Sequence, residues 1–185
     1  SQEDIKFNAD DAYVHITSNN TIYGTQWKVF PDTGDVPLVA DMSSDILSKP
    51  VDVSKFGIIY AGAQKNLGPS GVTVVIIRKD LLEKANTNIP TMLKYTTHAD
   101  NNSLYNTPPT FGIYMLGEVL KWVEAQGGLE KVAQNNEEKA ALIYDVIDAS
   151  NGFYYGHAEE GSRSLMNITF RVADEELEKK LNEKQ

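Results

Sequence analysis

Lys65 stands in the stretch Ile58-Ile-Tyr-Ala-Gly-Ala-Gln-Lys-Asn-Leu-Gly-Pro-Ser-Gly71. An apolar run ends in small residues, delivers one lysine and turns through glycine and proline. A second apolar run, Val72 to Ile77, follows at once. A lysine at the rim of buried strands is partly desolvated, which disfavours its ammonium form. The uncharged amine is a nucleophile that can form a Schiff base with an aldehyde cofactor. Asp41 ends another short apolar run, Val36 to Ala40. In open α/β sheets, ligands bind at the carboxyl ends of strands, so the two residues can face one ligand. A lysine and a carboxylate suit pyridoxal phosphate, whose aldehyde takes the amine and whose ring nitrogen takes the carboxylate. The plainer readings stay open: a solvated surface lysine, and an aspartate that pairs with a cation or caps a helix beside Ser43 and Ser44.

Other chemistry has weaker support. Gly68-Pro69-Ser70-Gly71 can cradle a phosphate, since glycine lets backbone N–H groups approach an anion, but it also reads as a plain turn. It is no Walker loop, because the Gly-Lys-Ser/Thr ending is missing. His15, His98 and His157 lack metal-ligand spacing. Ser43, Ser44 and Ser70 lack a nucleophile elbow. Trp27, Trp122 and the tyrosines are expected in a core or an interface.

The elements that position Lys65 and Asp41 read as α/β. Tyr13–Thr17, Val36–Ala40, Phe56–Ala61 and Val72–Ile77 are short apolar or β-branched runs, the pattern of strands buried on both faces. Residues 42–55 and 78–95 connect them with mixed helix and loop. Residues 96–110 are polar and proline-broken and are expected to form an extended loop. Leu116, Val119, Leu120 and Val123 mark one face of a helix, with Thr110 as N-cap and Gly127-Gly128 as its stop. A second helix spans about 129–148, with Val132, Ala140, Ile143 and Ile147 on its buried side. Leu165–Val172 reads as a strand, and 173–185 as a terminal helix without a stop signal. A domain change is placed near residue 128.

Composition narrows the function. Apolar residues make up 41% and charged residues 23%, which is ordinary for a globular protein. The net charge of −9 argues against nucleic acid, whose binding rests on cations that neutralise phosphates. No apolar run reaches the length of a membrane span, and no secretory leader is visible. Without that leader, the glycosylation triplets at Asn19, Asn101 and Asn167 count as chance. Cysteine is absent, so thiolate sites and disulfides are excluded; the cytoplasm is compatible with this. There are only three arginines, Arg78, Arg163 and Arg171. Sites for carboxylates and phosphates commonly use arginine forks, so part of the site is expected outside this chain. The opening at Ser1 and the unstopped last helix are expected to be cut ends of a longer protein.

Four segments carry a family resemblance. Ala61-Gly-Ala-Gln-Lys-Asn-Leu-Gly-Pro-Ser-Gly71 resembles the cofactor-lysine segment of the phosphoserine aminotransferases. Ser18-Asn-Asn-Thr-Ile-Tyr-Gly24, Ala40-Asp-Met-Ser-Ser44 and Tyr105-Asn-Thr-Pro-Pro-Thr110 resemble further segments of the same family, in its order and near its spacing. The resemblance implies a fold type I, pyridoxal-phosphate-dependent class V aminotransferase acting on phosphoserine and 2-oxoglutarate. It implies a mixed, mostly parallel sheet with helices over 1–128, part of the large domain, and the start of an α+β small domain over 129–185. It implies Lys65 as the Schiff-base lysine, Asp41 at the pyridinium nitrogen, and Thr21 and Gln64 as cofactor hydrogen-bonders. Asn106 and Thr107 would reach the phosphate of the neighbouring subunit's cofactor, so the partner is a second copy in a homodimer. The chain is about half a typical member. The early phosphate-binding turn, the stacking aromatic and the first substrate arginine would lie elsewhere. Two other readings remain: another reaction on the same fold, such as a desulfurase or lyase, and a truncated chain with no activity of its own.

Overall fold

The computed structural model describes residues 5–183, without the side chains of residues 181 and 182. Ser1 and the last residues of the terminal helical pattern lie outside the described residues. Four strands form the main sheet: β1 (Val14–Thr17), β4 (Leu38–Asp41), β5 (Ile58–Gly62) and β6 (Thr73–Ile77), in that spatial order. Between β1 and β4 the chain makes a small antiparallel ribbon, β2 (Asn19–Asn20) with β3 (Thr25–Gln26). The first three strands of the main sheet run parallel, and β6 returns antiparallel to β5. The sheet is therefore mixed and mostly parallel, as expected.

Burial alternates along β1, β4 and β5, and β6 has no buried residue; this departs from the expectation of burial on both faces. Val14, Ile16, Leu38, Ala40 and Ile59 point into one core, closed by Met42, Phe56 and the partly buried Phe7, Trp27 and Phe30. A second cluster, Ala61, Ala63 and Leu67, sits under Ile46, Val72 and Leu116. The opposite face carries Thr17, Asp41 and Tyr60 side by side in register. His15 and Thr17 are exposed there, and Asp41 and Tyr60 are half-buried. Apolar runs alone cannot separate a strand covered twice from one covered once. Among the described residues no second layer closes this face.

Short helices α1 (Lys79–Glu83) and α2 (Tyr95–Ala99) follow β6, then α3 (Thr110–Ala125) and α4 (Gly128–Ala149). A two-stranded sheet, β7 (Tyr154–Tyr155) with β8 (Arg171–Val172), precedes α5 (Glu175–Asn182). Several expectations change. Residues 96–110 are not all extended loop, since α2 occupies their start. Thr110 is the first residue of α3, and Pro109 precedes it without a side-chain cap. Val123 is buried on α3, but Leu120 is 45% exposed. On α4, Asn136, Ala140 and Ile147 are buried, whereas Ile143 is 45% exposed. Asn136 takes the place because its Nδ2 donates to the Ser48 carbonyl at 3.0 Å. Trp122 faces outward at 58% exposure. The expected strand 165–172 shrinks to its last two residues. Side-chain bonds hold its first part instead: Ser164 Oγ accepts from the Met166 and Asn167 amides, and Gln26 Oε1 from the Leu165 amide.

Candidate active site

The ends of β4 and β5 lie side by side, because the two strands are parallel and in register from Val39–Ile58 to Asp41–Tyr60. Asp41 is the last residue of β4 and points to the open face. One oxygen of its carboxylate accepts the Ser43 amide at 2.8 Å. This is a local turn, not the ion pair or helix cap of the plainer reading, since no helix directly follows β4, and it fixes the carboxylate's direction. Ser43 also links the two strand ends, its Oγ accepting the Gly62 amide at 3.0 Å. Beyond Gly62 the chain turns, and the Leu67 and Gly68 amides both return to the Ala63 carbonyl. Gln64 folds back over Gly62, where a Cβ would lie 2.8 Å from its Oε1. This places the Gln64 amide over the sheet face that carries Tyr60 and Asp41.

Lys65 leaves the same turn. Its Nζ donates to Thr21 Oγ1 at 2.9 Å, across 44 residues of sequence. Thr21 belongs to the turn between β2 and β3, where Asn20 Oδ1 accepts the amides of Ile22 and Tyr23. Four of the expected site residues therefore gather at one end of the sheet: Lys65 with Thr21, and Asp41 with Gln64 through Ser43 and Gly62. Lys65 itself is exposed. The shielding from water expected of a lysine after a buried strand is not provided by the described residues.

Two further groups on this face were missed by sequence reasoning. Tyr60 OH lies 3.0 Å from His15 Nε2. Burial first, then the neighbouring Asp41 carboxylate, push the Tyr60 phenol above its ordinary value. The signal was a lone polar ring inside the run Ile58-Ile-Tyr-Ala-Gly62. Ser18, Asn19, Ser44, Asp45 and Ser164 form a buried polar layer beneath the strand ends. Asn19 Nδ2 donates to Ser44 Oγ and Asn167 Oδ1, at 2.9 and 2.7 Å. That layer fastens the segment after α4 to the loop that carries Thr21.

Asn106 and Thr107 are elsewhere. They lie in the exposed loop before α3, where Asn106 Nδ2 donates to the Thr107 carbonyl at 3.3 Å. Asn106 lines a cleft with Thr73, Val75, Tyr95 and His98 on the β6 side of the sheet. No bond among the described residues joins this loop to Lys65. The arginines are also distant in function. Arg78 is forked to Asp80, Arg163 to Asp148 and Arg171 to Glu178. Each guanidinium thus already holds a carboxylate of this chain. Among the described residues no group of histidines and carboxylates is arranged to hold a metal ion, and no helix is long and apolar enough to cross a membrane.

The donor set fits an aldehyde-bearing aromatic cofactor. One primary amine, one oriented carboxylate and neutral hydroxyl and amide donors converge on an open sheet end. Hydroxyls and amides satisfy phenolate or phosphate oxygens without adding charge.

Comparison with known proteins places the chain among similar sequences and folds. The phosphoserine aminotransferase of Lysinibacillus sphaericus is 82% identical over 176 residues, covering 95% of this chain and 49% of that protein. The solved phosphoserine aminotransferase of Bacillus circulans subsp. alkalophilus superposes with a TM-score of 0.95 at 61% identity, covering 100% of this chain and 51% of the other. The pyridoxal-phosphate-bound enzyme of Trichomonas vaginalis superposes with a TM-score of 0.87 at 41% identity, over 94% of this chain and 48% of the other. The chain spans about half the length of the relatives it matches. The Aminotransferase class-V family matches residues 2–185, and the chain belongs to that family.

Proposed function

We propose that this chain is the central half of a phosphoserine aminotransferase, in which Lys65 holds pyridoxal phosphate. The observation that carries the reading is the Lys65–Thr21 contact at 2.9 Å beside the Asp41-bearing strand end. The relatives' names support phosphoserine as the amino donor; with 2-oxoglutarate as the acceptor, the products are 3-phosphohydroxypyruvate and glutamate. Residues 1–128 would belong to the cofactor-binding large domain and 129–185 to the start of the small domain. Cytoplasmic location goes with a biosynthetic enzyme of this kind.

When bound, the cofactor supplies an aldehyde for amine exchange and a ring that draws electrons from the substrate's α-carbon. Lys65 Nζ would hold the aldehyde and, when free, would accept the proton that leaves the substrate's α-carbon. Thr21 Oγ1, already bonded to Nζ, orients the amine for that transfer. Asp41 would hold the ring nitrogen protonated and so stabilise charge that grows in the transition state. Gln64 offers amide donors above the same sheet face. Asn106 and Thr107, at the β6 side, would serve the phosphate in a second copy of the chain, so a complete site is a homodimer.

The test is chemical. Borohydride reduction of the full-length protein with pyridoxal phosphate should fix the cofactor to the peptide containing Lys65. Lys65→Ala should abolish both the adduct and nearly all turnover. Transamination at the wild-type rate in that variant would refute the assignment. Activity toward phosphoserine, tested against other amino donors, separates this reading from another reaction on the same fold.

A further inference from the structure

Three oxygens stand in a row beneath the end of β4. Ser18 Oγ is hydrogen-bonded to Asp45 Oδ1 on one side and lies 3.0 Å from the Asp41 carbonyl on the other. The Asp41 carbonyl also accepts the Ser18 amide at 2.9 Å. The row contains two O···O contacts, and Ser18 has a single hydroxyl proton. With Asp45 ionised, both neighbours of Ser18 Oγ are acceptors, and one contact has no proton. With Asp45 protonated, its O–H donates to Ser18 Oγ and the Ser18 hydroxyl donates to the Asp41 carbonyl. Both contacts are then hydrogen bonds.

The surroundings favour the second arrangement. Ser18 is 1% exposed and Asp45 6%. A buried carboxylate needs several donors to match its hydration, and the other oxygen of Asp45 receives one, from Gln26 Nε2 at 3.1 Å. The charged groups that face Asp45 are Lys49 and Asp41. Lys49 gives its ammonium to the Trp27 carbonyl at 3.0 Å. Burial first pushes the Asp45 carboxyl above its ordinary value, the Ser18 and Gln26 bonds and Lys49 pull it down, and Asp41 adds to the rise.

We propose that Asp45 is a protonated positioning residue that, through Ser18, holds the backbone of Asp41 and thereby the direction of its carboxylate. The neutral state does two things. It completes the bond row, and it removes a like charge from beside the Asp41 carboxylate. The functional half of this inference rests on the reading of Asp41 given under Proposed function; the bonding half does not.

The experiment has two arms, both on the full-length protein. The first is infrared difference spectroscopy, wild type minus Asp45→Asn, at neutral pH and without cofactor. A carbonyl-stretch band of a protonated carboxylic acid is expected in the wild type, and its position should move in Ser18→Ala. Absence of the band in folded protein overturns the proposal. The second arm uses the holoenzyme. Asp45→Ala and Ser18→Ala should each lower kcat by roughly 10- to 100-fold, the scale set by small misplacement of a catalytic group. KM should change little, and the pH midpoint of the cofactor's absorbance should move. Asp45→Asn, a neutral donor of the same shape, should recover most of the loss. Asparagine as damaging as alanine would show that the charge matters, and would overturn the proposal. A wild type that binds no cofactor refutes the proposed function, and the infrared arm still decides the protonation. Stability gives an independent sign. An acid with a raised folded-state value destabilises the fold as pH climbs above its ordinary 3.8. Asp45→Asn should therefore gain stability over the wild type across that rise; a loss would count against a neutral Asp45.

Discussion

Replacing Gly24 by alanine isolates the contact between the site loop and the segment after α4. Gly24 lies at φ +65°, in the loop that carries Thr21. An alanine Cβ there would stand 2.6 Å from Thr169 Oγ1, 2.8 Å from the Asn167 carbonyl and 3.3 Å from the Thr169 amide. Two of those atoms are backbone and cannot rotate away. Gly34 provides the control, since it has nearly the same φ, +59°, with nothing within 4 Å of its Cβ position. The left-handed conformation costs a non-glycine residue roughly 1–2 kcal/mol at either site. Crowding adds about 1–3 kcal/mol at Gly24 alone, as in other overpacked sites. Gly24→Ala should therefore cost about 2–5 kcal/mol and Gly34→Ala only the first part. With a urea slope of about 1–3 kcal/mol per molar, the two midpoints should differ by about 1 M. Tryptophan fluorescence during urea unfolding measures both. Adding Thr169→Ala to Gly24→Ala should recover only part of the loss, because the Asn167 carbonyl remains. Equal midpoints for the two single variants would refute the argument. Strain at Gly24 should also move Thr21 from Lys65, so the Gly24 variant should lose cofactor affinity while the Gly34 variant keeps it.

Three further outcomes follow from other contacts. Asp41→Ala in the full-length protein should retain pyridoxal phosphate poorly and slow proton transfer by roughly 10²- to 10³-fold, the scale of a lost electrostatic contact; stopped-flow absorbance checks it, and unchanged kinetics would refute the role given to Asp41. Asn136→Ala should cost about 1–3 kcal/mol, because the Ser48 carbonyl loses its donor in a buried place. Urea unfolding reads this, and an unchanged midpoint would show that the bond contributes nothing net. Phe111, Tyr114 and Trp122 leave α3 with exposures of 72, 60 and 58%, so the 185-residue chain alone should bind a hydrophobic dye. Serine at Phe111 and Trp122 should lower that signal; a chain that binds no dye would contradict the exposed face.

The proposed pair, Lys65 and Asp41, was legible because it lies where local patterns end. An apolar run that stops at Asp41, and another that stops near Lys65, mark strand ends without knowledge of the rest. What joins them was not legible. Lys65 meets Thr21 across 44 residues, and Tyr60 meets His15 across 45. Such meetings depend on the order and direction of strands, which periodicity does not encode. Helical patterning failed at Asn136 for a different reason. It ranks positions by hydrophobicity, so it passed over a polar residue that a single carbonyl draws inward, and it chose Ile143. The strand expected at 165–172 failed because Ser164 and Gln26 bind the backbone amides that a neighbouring strand would have taken. Asn106 and Thr107 were proposed only by resemblance, since among the described residues their loop has no partner that gives their types a purpose.

The arginines divide the proposed enzyme's work more sharply than any motif does. A substrate with a phosphate and a carboxylate calls for planar, bidentate cations. The three guanidiniums of this chain are forked to Asp80, Asp148 and Glu178. To recognise substrate, one of them would have to release its present carboxylate, which exchanges one fork for another with little net gain. Two of the forks also hold local structure: Arg163 lies over the Tyr144 ring at 4.5 Å, and Arg171 joins β8 to α5. The open sheet end, by contrast, offers an amine, a carboxylate and neutral donors, which serve a cofactor and a proton but not a dianion. In the proposed enzyme, selection of phosphoserine would therefore fall to cations other than these arginines. Substitution of any of the three should leave discrimination between phosphoserine and other amino donors unchanged, while Lys65 and Asp41 variants lose all donors alike.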